Sequence, residues 1–304
     1  MLPSSKKIIS VIGATGSQGG AVIRALQADG QFRVRALTRN PNHHRDLADE
    51  VVEADLNRPE TLKAAFEKAY GVFLVTDFWQ HGVDGVDEIK QATAAICAAS
   101  NAGVKHFIWS TLPDVEAISR GKIHVPHFTG KAKVDRIVQE AGFAYHTFVI
   151  APFYYQNFMG FLSPQKQADG SDGWALPLDP AVCCIHMGDI HELGDIVVGA
   201  FSHPDQAGRG AYLPLVGDFM SFNDVIETLN HLGHRFSFKQ IPGEVFSTLY
   251  PGAAEIAATF EYFRIHTYLG SDSHDRIALA NKVAGRQPSK FFEWVRVNFS
   301  DPLA

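Results

Sequence analysis

The stretch Val11-Ile12-Gly13-Ala14-Thr15-Gly16-Ser17-Gln18-Gly19-Gly20 decides the fold of this chain. The apolar run Ile8 to Ile12 predicts a strand, and Ser17 to Ala28 has the spacing of a helix. Glycines at such a turn let the backbone bend tightly, and the first N–H groups of the helix favour an anion. The stretch predicts a loop for the pyrophosphate of a dinucleotide, with GxxGxxG rather than GxGxxG spacing. The alternative, a glycine-rich turn without a ligand, is disfavoured by its place after the first strand.

Short apolar runs alternate with helical patterns up to about residue 150, as in parallel βαβ units. Five more strands are predicted, at residues 34–37, 51–53, 72–75, 106–110 and 145–150. The fold class is therefore α/β, a Rossmann-type doubly wound parallel sheet that binds its dinucleotide at the carboxyl ends of the strands. We expect this domain over residues 1–152, with later segments free to return to it, and a smaller mixed α/β lobe over 153–304 closing over the cofactor cleft.

The end of the second predicted strand selects the dinucleotide. NAD sites carry an Asp or Glu there, which accepts from the ribose 2′-OH, but Leu37-Thr38-Arg39-Asn40 contains no carboxylate. Arg39 suits the 2′-phosphate of NADP(H) through a bidentate contact, so we expect NADP(H), with NAD(H) the weaker alternative. A solvated Arg39 is the competing interpretation. His43 either adds to the same pocket or belongs to an exposed turn.

Further candidate cofactor contacts follow the third and fourth predicted strands. Asp55 and Leu56 are placed to flank the adenine, although a plain helix-start aspartate is an alternative for Asp55. Thr76, Asp77 and Phe78 lie just past the fourth strand, where the chain should pass beside the cofactor ribose. Loop scaffolding is an equal interpretation for each of these three.

Composition argues against several functional classes. The formal net charge of −6 and the pI of about 6.1 disfavour direct nucleic-acid binding. Apolar runs fall short of the ~20 residues that span a bilayer, so we expect no membrane association. Cys97, Cys183 and Cys184 match neither a disulfide framework nor a zinc site, and the histidines have no metal-ligand spacing. We expect no metal and a reducing compartment, the cytoplasm, or the nucleus if the source is eukaryotic.

Five segments in this order resemble the NmrA-like group of atypical short-chain dehydrogenase/reductases, over nearly the whole chain. They are the glycine loop, Thr38-Arg39, Trp109-Ser110-Thr111-Leu112-Pro113-Asp114, His127-Phe128-Thr129-Gly130-Lys131 and Pro152-Phe153-Tyr154-Tyr155-Gln156-Asn157-Phe158. The resemblance implies cofactor contacts at Gly13 to Gln18, Arg39, Asp55, Leu56, Thr76, Lys131 and Tyr154 to Asn157. It also implies a dinucleotide sensor that represses a partner protein such as a transcription factor. The state of assembly is left open as monomer or homodimer.

The resemblance also locates the chemistry. In active members of the superfamily a Tyr-x-x-x-Lys pair and an upstream serine act together, and here His127 stands at the tyrosine position with Lys131 four residues on. Ser110 or Thr111 fits the serine role, and Tyr154 or Tyr155 offers a substitute acid. One hypothesis is an NADP(H)-binding redox sensor that keeps Lys131 for the ribose and has lost the proton relay.

The second hypothesis is an NADPH-dependent oxidoreductase of a small carbonyl, enone or imine substrate, because histidine also transfers protons. Two aromatic groups bear on it without deciding it. The first group suits either a substrate pocket or the core between the lobes, and it consists of Phe153, Tyr154, Tyr155, Phe158 and Phe161. The second suits either core or a partner-binding surface, and it consists of Phe260, Tyr262, Phe263 and Tyr268.

Overall fold

The structure is a computed structural model, and it describes residues 6–81 and 86–299, in which thirteen strands and twelve α-helices are found. The strands are β1 (Ile8–Val11), β2 (Arg33–Thr38), β3 (Glu50–Glu53), β4 (Ala69–Leu74), β5 (His106–Thr111), β6 (Tyr145–Ile150), β7 (Phe153–Tyr154), β8 (Gln165–Lys166), β9 (Asp172–Leu176), β10 (Ile185–Gly188), β11 (Arg209–Pro214), β12 (Asp218–Met220) and β13 (Phe236–Gln240). The helices are α1 (Ser17–Asp29), α2 (Leu62–Phe66), α3 (Val86–Asn101), α4 (Val115–Ile118), α5 (Pro126–Glu140), α6 (Leu193–Ser202), α7 (Pro204–Ala207), α8 (Phe222–His231), α9 (Gly243–Phe246), α10 (Ala253–His266), α11 (His274–Ala284) and α12 (Phe291–Asn298).

The central sheet has seven parallel strands in the order β11-β6-β5-β4-β1-β2-β3. From β1 the chain first adds strands on one side, β2 and β3, and then adds β4, β5 and β6 on the other side. The point between β1 and β4 is therefore the switch point of a doubly wound fold. The predicted fold class is confirmed, but the expected count of six strands is one too few. The additional strand, β11, belongs to the later half of the chain. It lies at the edge of the sheet and its first four residues are exposed or half-buried, so it does not show as a buried apolar run.

The register of the sheet aligns the carboxyl ends of β1, β2 and β4. Val11 of β1 pairs with Ala36 of β2 on one side and with Phe73 of β4 on the other. The segments that follow these strands therefore meet at one edge of the sheet. They are the glycine loop after β1, Thr38-Arg39 at the end of β2, and the chain from Val75 onward after β4.

Helices cover both faces of the sheet, since strands buried on two sides need apolar partners on each. Helices α1, α6 and α11 pack on one face, and α2, α3 and α5 pack on the other. Two of these helices, α6 and α11, lie beyond residue 152 in the chain, as does β11. Later segments thus return to the sheet, and the division of domains at residue 152 stays a prediction.

The remaining segments form a second lobe with two three-stranded sheets, β12-β10-β7 and β13-β9-β8. Its core is rich in buried aromatic side chains, among them Tyr155, Phe158, Trp174 and Phe222. Helix α10 of this lobe lies next to the beginning of α5, where Glu255 contacts His127. Within the described residues, no helix has the length and apolarity to cross a membrane.

Candidate active site

A cavity of about 970 Å³ lies where the carboxyl ends of β1, β2 and β4 meet the second lobe. One part of its wall consists of the glycine loop and the segments that follow β2, β3 and β4. The other part consists of α5 and of segments within residues 151–162 and 250–268. Its volume is at the upper end of the ~300–1,000 Å³ typical of ligand sites, which suits a long ligand and a second, smaller one.

The glycine loop has the backbone shape that a close approach to phosphate requires. Gly13 has a φ of +74°, and a Cβ there would lie 2.6 Å from Val75 Cγ1. At Gly19 a Cβ would lie 2.1 Å from the carbonyl oxygen of Gly13, so only glycine lets α1 approach the loop this closely. Helix α1 begins after Gly16 without a side-chain cap from the described residues, which leaves its first N–H groups for a ligand. The residues present therefore fit a pyrophosphate.

Arg39 lies in the cavity wall just after β2. When the Gln80 amide oxygen faces it, that oxygen accepts from Nη1 at 2.6 Å and from Nη2 at 3.0 Å. This contact extends the guanidinium along the cavity, toward the segment that follows β4. Asp55 also lines the cavity, in a turn where its Oδ1 accepts from the N–H of Asn57 at 2.9 Å.

Lys131, in the cavity wall, is held by an ion pair with Glu88. Its Nζ lies 2.5 Å from Glu88 Oε1, and the two side chains are 10% and 2% exposed. The ammonium also donates to the carbonyl oxygen of Thr76 at 2.8 Å and to Thr76 Oγ1 at 3.1 Å. All three ammonium protons therefore have acceptors within the protein, and the charge that Lys131 carries is balanced before any ligand arrives.

His127 is paired with a carboxylate of the second lobe. Both its backbone N–H, at 2.8 Å, and its Nδ1, at 2.6 Å, donate to Glu255 Oε1. Pro126 and His127 open α5, so Glu255 also satisfies one of the N–H groups that a helix start leaves free. With Nδ1 donating to a carboxylate, Nε2 is the ring nitrogen available for proton exchange, and within the described residues it has no hydrogen-bond partner.

A second polar chain crosses the cavity wall. Ser110 Oγ donates to Gln18 Oε1 at 2.6 Å, and Gln18 Nε2 donates to the Tyr154 hydroxyl at 2.8 Å. Burial raises the pKa of Tyr154 to about 12, although the bond from Gln18 opposes this. At neutral pH the Tyr154 hydroxyl is therefore protonated and serves as a donor rather than a base.

A buried carboxyl lies behind Thr111. Asp135, one turn after Lys131 on α5, accepts from the Tyr212 hydroxyl at 2.9 Å. Burial raises the pKa of Asp135 to about 7, against the hydrogen bond from Tyr212, which lowers it. This group lies behind the site and supports its wall.

Most of the residues predicted from the sequence meet in this one cavity. Its wall contains Gly13, Ala14, Thr15, Gly16, Ser17, Gln18, Gly19, Arg39, Asp55, Leu56, Thr76, Asp77, Phe78, Thr111, His127, Lys131, Tyr154 and Asn157. His43 instead lies in an exposed 3₁₀ turn, Tyr155 is fully buried in the second lobe, and the Gln156 amide donates to Asp189 at 2.6 Å. The structure does not bring these three to the cavity. Which of the lining residues touch a ligand remains a prediction.

The two aromatic groups are divided between cavity and core. Phe153, Tyr154 and Phe161 line the cavity, whereas Tyr155 and Phe158 are buried in the core of the second lobe. Of the later group, Phe260, Phe263 and Tyr268 also line the cavity, and Tyr262 is core.

Sequence reasoning missed several residues of the site. Glu88 and Glu255 pair with Lys131 and His127 from distant elements, and no local pattern distinguishes them from other acidic residues. Trp79 and Gln80 directly follow the predicted contact Phe78, so extending that segment by two residues would have found them.

Comparison with known proteins shows which family the chain is similar to. A profile of the NmrA-like family matches residues 5–296. The chain belongs to the NmrA-like family. A relative in this family, the NmrA-like family domain-containing oxidoreductase hkm9 of Aspergillus hancockii, is 34% identical over 281 residues, covering 85% of this chain and 82% of the relative. An NmrA-like family domain-containing protein of Dictyostelium discoideum is 31% identical over 243 residues, covering 76% of this chain and 78% of the relative.

Solved structures show the same family fold. NmrA, a negative transcriptional regulator in complex with NADP, superposes with a TM-score of 0.79 over 97% of this chain and 96% of NmrA. The sequence identity in that pair is 23%, so the likeness shows the shared fold.

Proposed function

We propose that this protein is an NADP(H)-dependent oxidoreductase in which His127, oriented by Glu255, exchanges the proton with the substrate. The observation that carries the proposal is the His127–Glu255 pair, with Nδ1 bound to a carboxylate at 2.6 Å in the wall of the cavity. Fungal relatives in the family are named oxidoreductases, hkm9 among them, and this supports the same class of activity.

The cofactor proposal rests on the loop and on Arg39. The first N–H groups of α1 suit the pyrophosphate, and Arg39 suits the 2′-phosphate that distinguishes NADP(H) from NAD(H). Lys131 and the segment from Thr76 to Phe78 would lie along the nicotinamide ribose. When bound, the reduced cofactor supplies a hydride to an electrophilic carbon of the substrate.

The chain itself supplies the proton. The doubly protonated His127 ring donates its Nε2 proton to the carbonyl oxygen or imine nitrogen as that atom gains charge. The ring is left neutral with its Nδ1–H on Glu255, and Nε2 takes a proton from solvent afterwards. Glu255 holds the ring with its Nδ1–H fixed and stabilises the imidazolium, as a carboxylate does for a catalytic histidine. Lys131 has a different role here from the lysine of a Tyr-x-x-x-Lys pair, because Glu88 already balances its charge.

The test is NADPH oxidation with phenanthrenequinone, benzaldehyde and cyclohexenone as substrates. In His127→Phe we expect kcat to fall by roughly 10²- to 10⁴-fold with cofactor affinity unchanged, the usual range for loss of a general acid. His124→Phe is the matched control, since that side chain is 70% exposed and pairs with Glu116 rather than Glu255. Turnover by His127→Phe at the wild-type rate would contradict the proposal.

Glu255 is a positioning residue, and its test must separate orientation of His127 from capping of α5. Glu255→Gln keeps an oxygen for the N–H of His127 but removes the charge. We expect a lower kcat and a displaced pH profile of kcat, with an unchanged melting temperature. A loss of stability without any change in the pH profile would assign Glu255 a capping role alone.

A redox sensor is the second candidate, and the buried Lys131–Glu88 pair favours it, since that lysine is not free to assist a proton donor. A sensor must bind NADPH and NADP⁺ with different consequences for a partner protein such as a transcription factor. Tight NADPH binding with no turnover of any of the three substrates would favour the sensor over the oxidoreductase.

A further inference from the structure

Aromatic rings form a continuous run along the cavity wall beside His127. Ring centroids are 5.0 Å apart between Phe78 and Trp79, and 5.3 Å apart between Trp79 and His127. The run continues from His127 to Phe128 at 4.8 Å and from Phe128 to Tyr268 at 5.5 Å. All five rings line the cavity, and they extend from the half-exposed Trp79 to the buried Phe128 and Tyr268. Spacings of this kind suit stacked and edge-to-face contacts with another ring.

Charged side chains are few in the same part of the cavity. Among the described residues that line it, the carboxylate Asp77 directly precedes Phe78, and from Ser110 onward Lys131 is the one side chain with a permanent charge. Glu88 balances that charge at 2.5 Å. A carboxylate or phosphate on a second ligand would therefore lose its hydration here without gaining a counter-charge, which is strongly unfavourable.

The rim of the cavity is apolar as well. Trp79, Phe161 and Tyr250 line the cavity and are 44%, 62% and 39% exposed. They come from three separate segments, so packing within a single element does not explain their meeting at one opening. Large apolar side chains that converge on the rim of a cavity are typical of a binding site for an apolar ligand.

We propose that the second ligand of this cavity, the substrate, is an uncharged compound with several rings. Its rings stack along the run from Phe78 to Phe128, which brings its carbonyl or imine to His127. Its far end rests on the rim formed by Trp79, Phe161 and Tyr250. This inference rests on the proposed function and narrows its substrate class, because acids, phosphate esters and sugar nucleotides do not suit the wall.

The test uses two fluorescent probes that share their rings and differ in one charged group. N-phenylnaphthylamine is uncharged, and anilinonaphthalene sulfonate carries a sulfonate. Both are titrated into protein saturated with NADP⁺, so that the phosphate-binding part of the cavity is filled. We expect the uncharged probe to bind at least about tenfold more tightly. A parallel titration without NADP⁺ should give the same affinity for it, which shows that NADP⁺ does not displace the probe.

Substitutions at the rim test where N-phenylnaphthylamine binds. In Trp79→Ala we expect affinity for N-phenylnaphthylamine to fall about three- to tenfold, the range for loss of one aromatic contact, with Trp79→Phe restoring most of it. Phe161→Ala should weaken binding in the same direction. The matched control is Phe292→Ala, an aromatic residue that is 41% exposed on α12 and lies away from the cavity. Equal or tighter binding of the sulfonate, displacement by NADP⁺, or wild-type affinity in both Trp79→Ala and Phe161→Ala would overturn the proposal.

Neither probe has a carbonyl to reduce, so their binding does not depend on the chemistry of His127. Probe binding as expected, together with no NADPH turnover, would refute the oxidoreductase and leave the apolar site in place. Turnover without the expected probe binding would refute the substrate class alone.

Discussion

Replacing Glu88 by glutamine removes the charge that balances Lys131 inside the protein. The side chains are 2% and 10% exposed, and the ammonium lies 2.5 Å from the carboxylate. In Glu88→Gln the ammonium keeps hydrogen-bond acceptors, including Thr76 O at 2.8 Å, but loses its counter-charge where water cannot replace it. Removing one partner of a buried pair costs about 3–5 kcal/mol, and we expect the free energy of unfolding to fall by that amount.

Urea unfolding followed by circular dichroism measures this loss. The matched control is Glu116→Gln, because Glu116 pairs with Lys133 at 3.2 Å with both side chains exposed, and such pairs contribute about 0–1 kcal/mol. The double variant Glu88→Gln/Lys131→Met removes both charges together. We expect it to be more stable than the sum of the two single losses predicts, because neither charge is left unpaired.

The result that would refute this reasoning is specific. If Glu88→Gln stays within about 1 kcal/mol of the wild type, Lys131 is not held by a buried counter-charge. If the two single losses add up to the loss in the double variant, the two side chains are not coupled. In either case the lysine would be free to act as in a Tyr-x-x-x-Lys pair.

Three further predictions concern the cofactor loop, cofactor choice and pH. Gly19→Ala places a Cβ 2.1 Å from the Gly13 carbonyl oxygen. Calorimetry should therefore show an NADP⁺ affinity at least about tenfold lower and a free energy of unfolding lower by about 1–3 kcal/mol. The control Gly243→Ala has open space around it in the described structure and should change both quantities little. Arg39→Ser should reduce the preference for NADP⁺ over NAD⁺ by about 10- to 100-fold in the same titration, and an unchanged preference would show that Arg39 does not contact the 2′-phosphate. Burial raises the pKa of Asp135 to about 7, above its unfolded value, so the native state holds the extra proton and wild-type stability should fall as pH rises from about 4 to about 7, by on the order of 1 kcal/mol per pH unit. Asp135→Asn should lack this decline in thermal melts, and a constant difference between the two proteins across that window would show that the native carboxyl is not protonated.

Local spacing explains why much of the site was predictable. The glycine loop, its strand and its helix are contiguous, and the i, i+4 spacing of His127 and Lys131 places both on one face of α5, in the cavity wall. The fold class was predictable for the same reason, because buried strands alternate with amphipathic helices along the chain. Strand β11 was not, since it is an edge strand whose first four residues are exposed or half-buried and so do not form the apolar run that identifies a buried strand.

Adjacent residues show where local reasoning fails. Tyr154 lines the cavity, but Tyr155, the next residue, is buried among Phe291 and Trp294 of the second lobe. Sequence spacing places both near the carboxyl ends of the strands, and only the packing of the second lobe decides which of them reaches the cavity.

The sequence by itself determined the parallel sheet, the loop that suits a pyrophosphate and the basic residue after β2, because each depends on neighbours a few residues apart. The tertiary structure decided the electrostatics of the site. Glu88 meets Lys131 across 43 residues of chain, and Glu255 meets His127 across 128. The chain has 33 acidic residues, and their pairing depends on which helices the fold brings within a few ångströms. Coulomb energy is large only at that distance and under burial, and neither quantity can be read from local sequence.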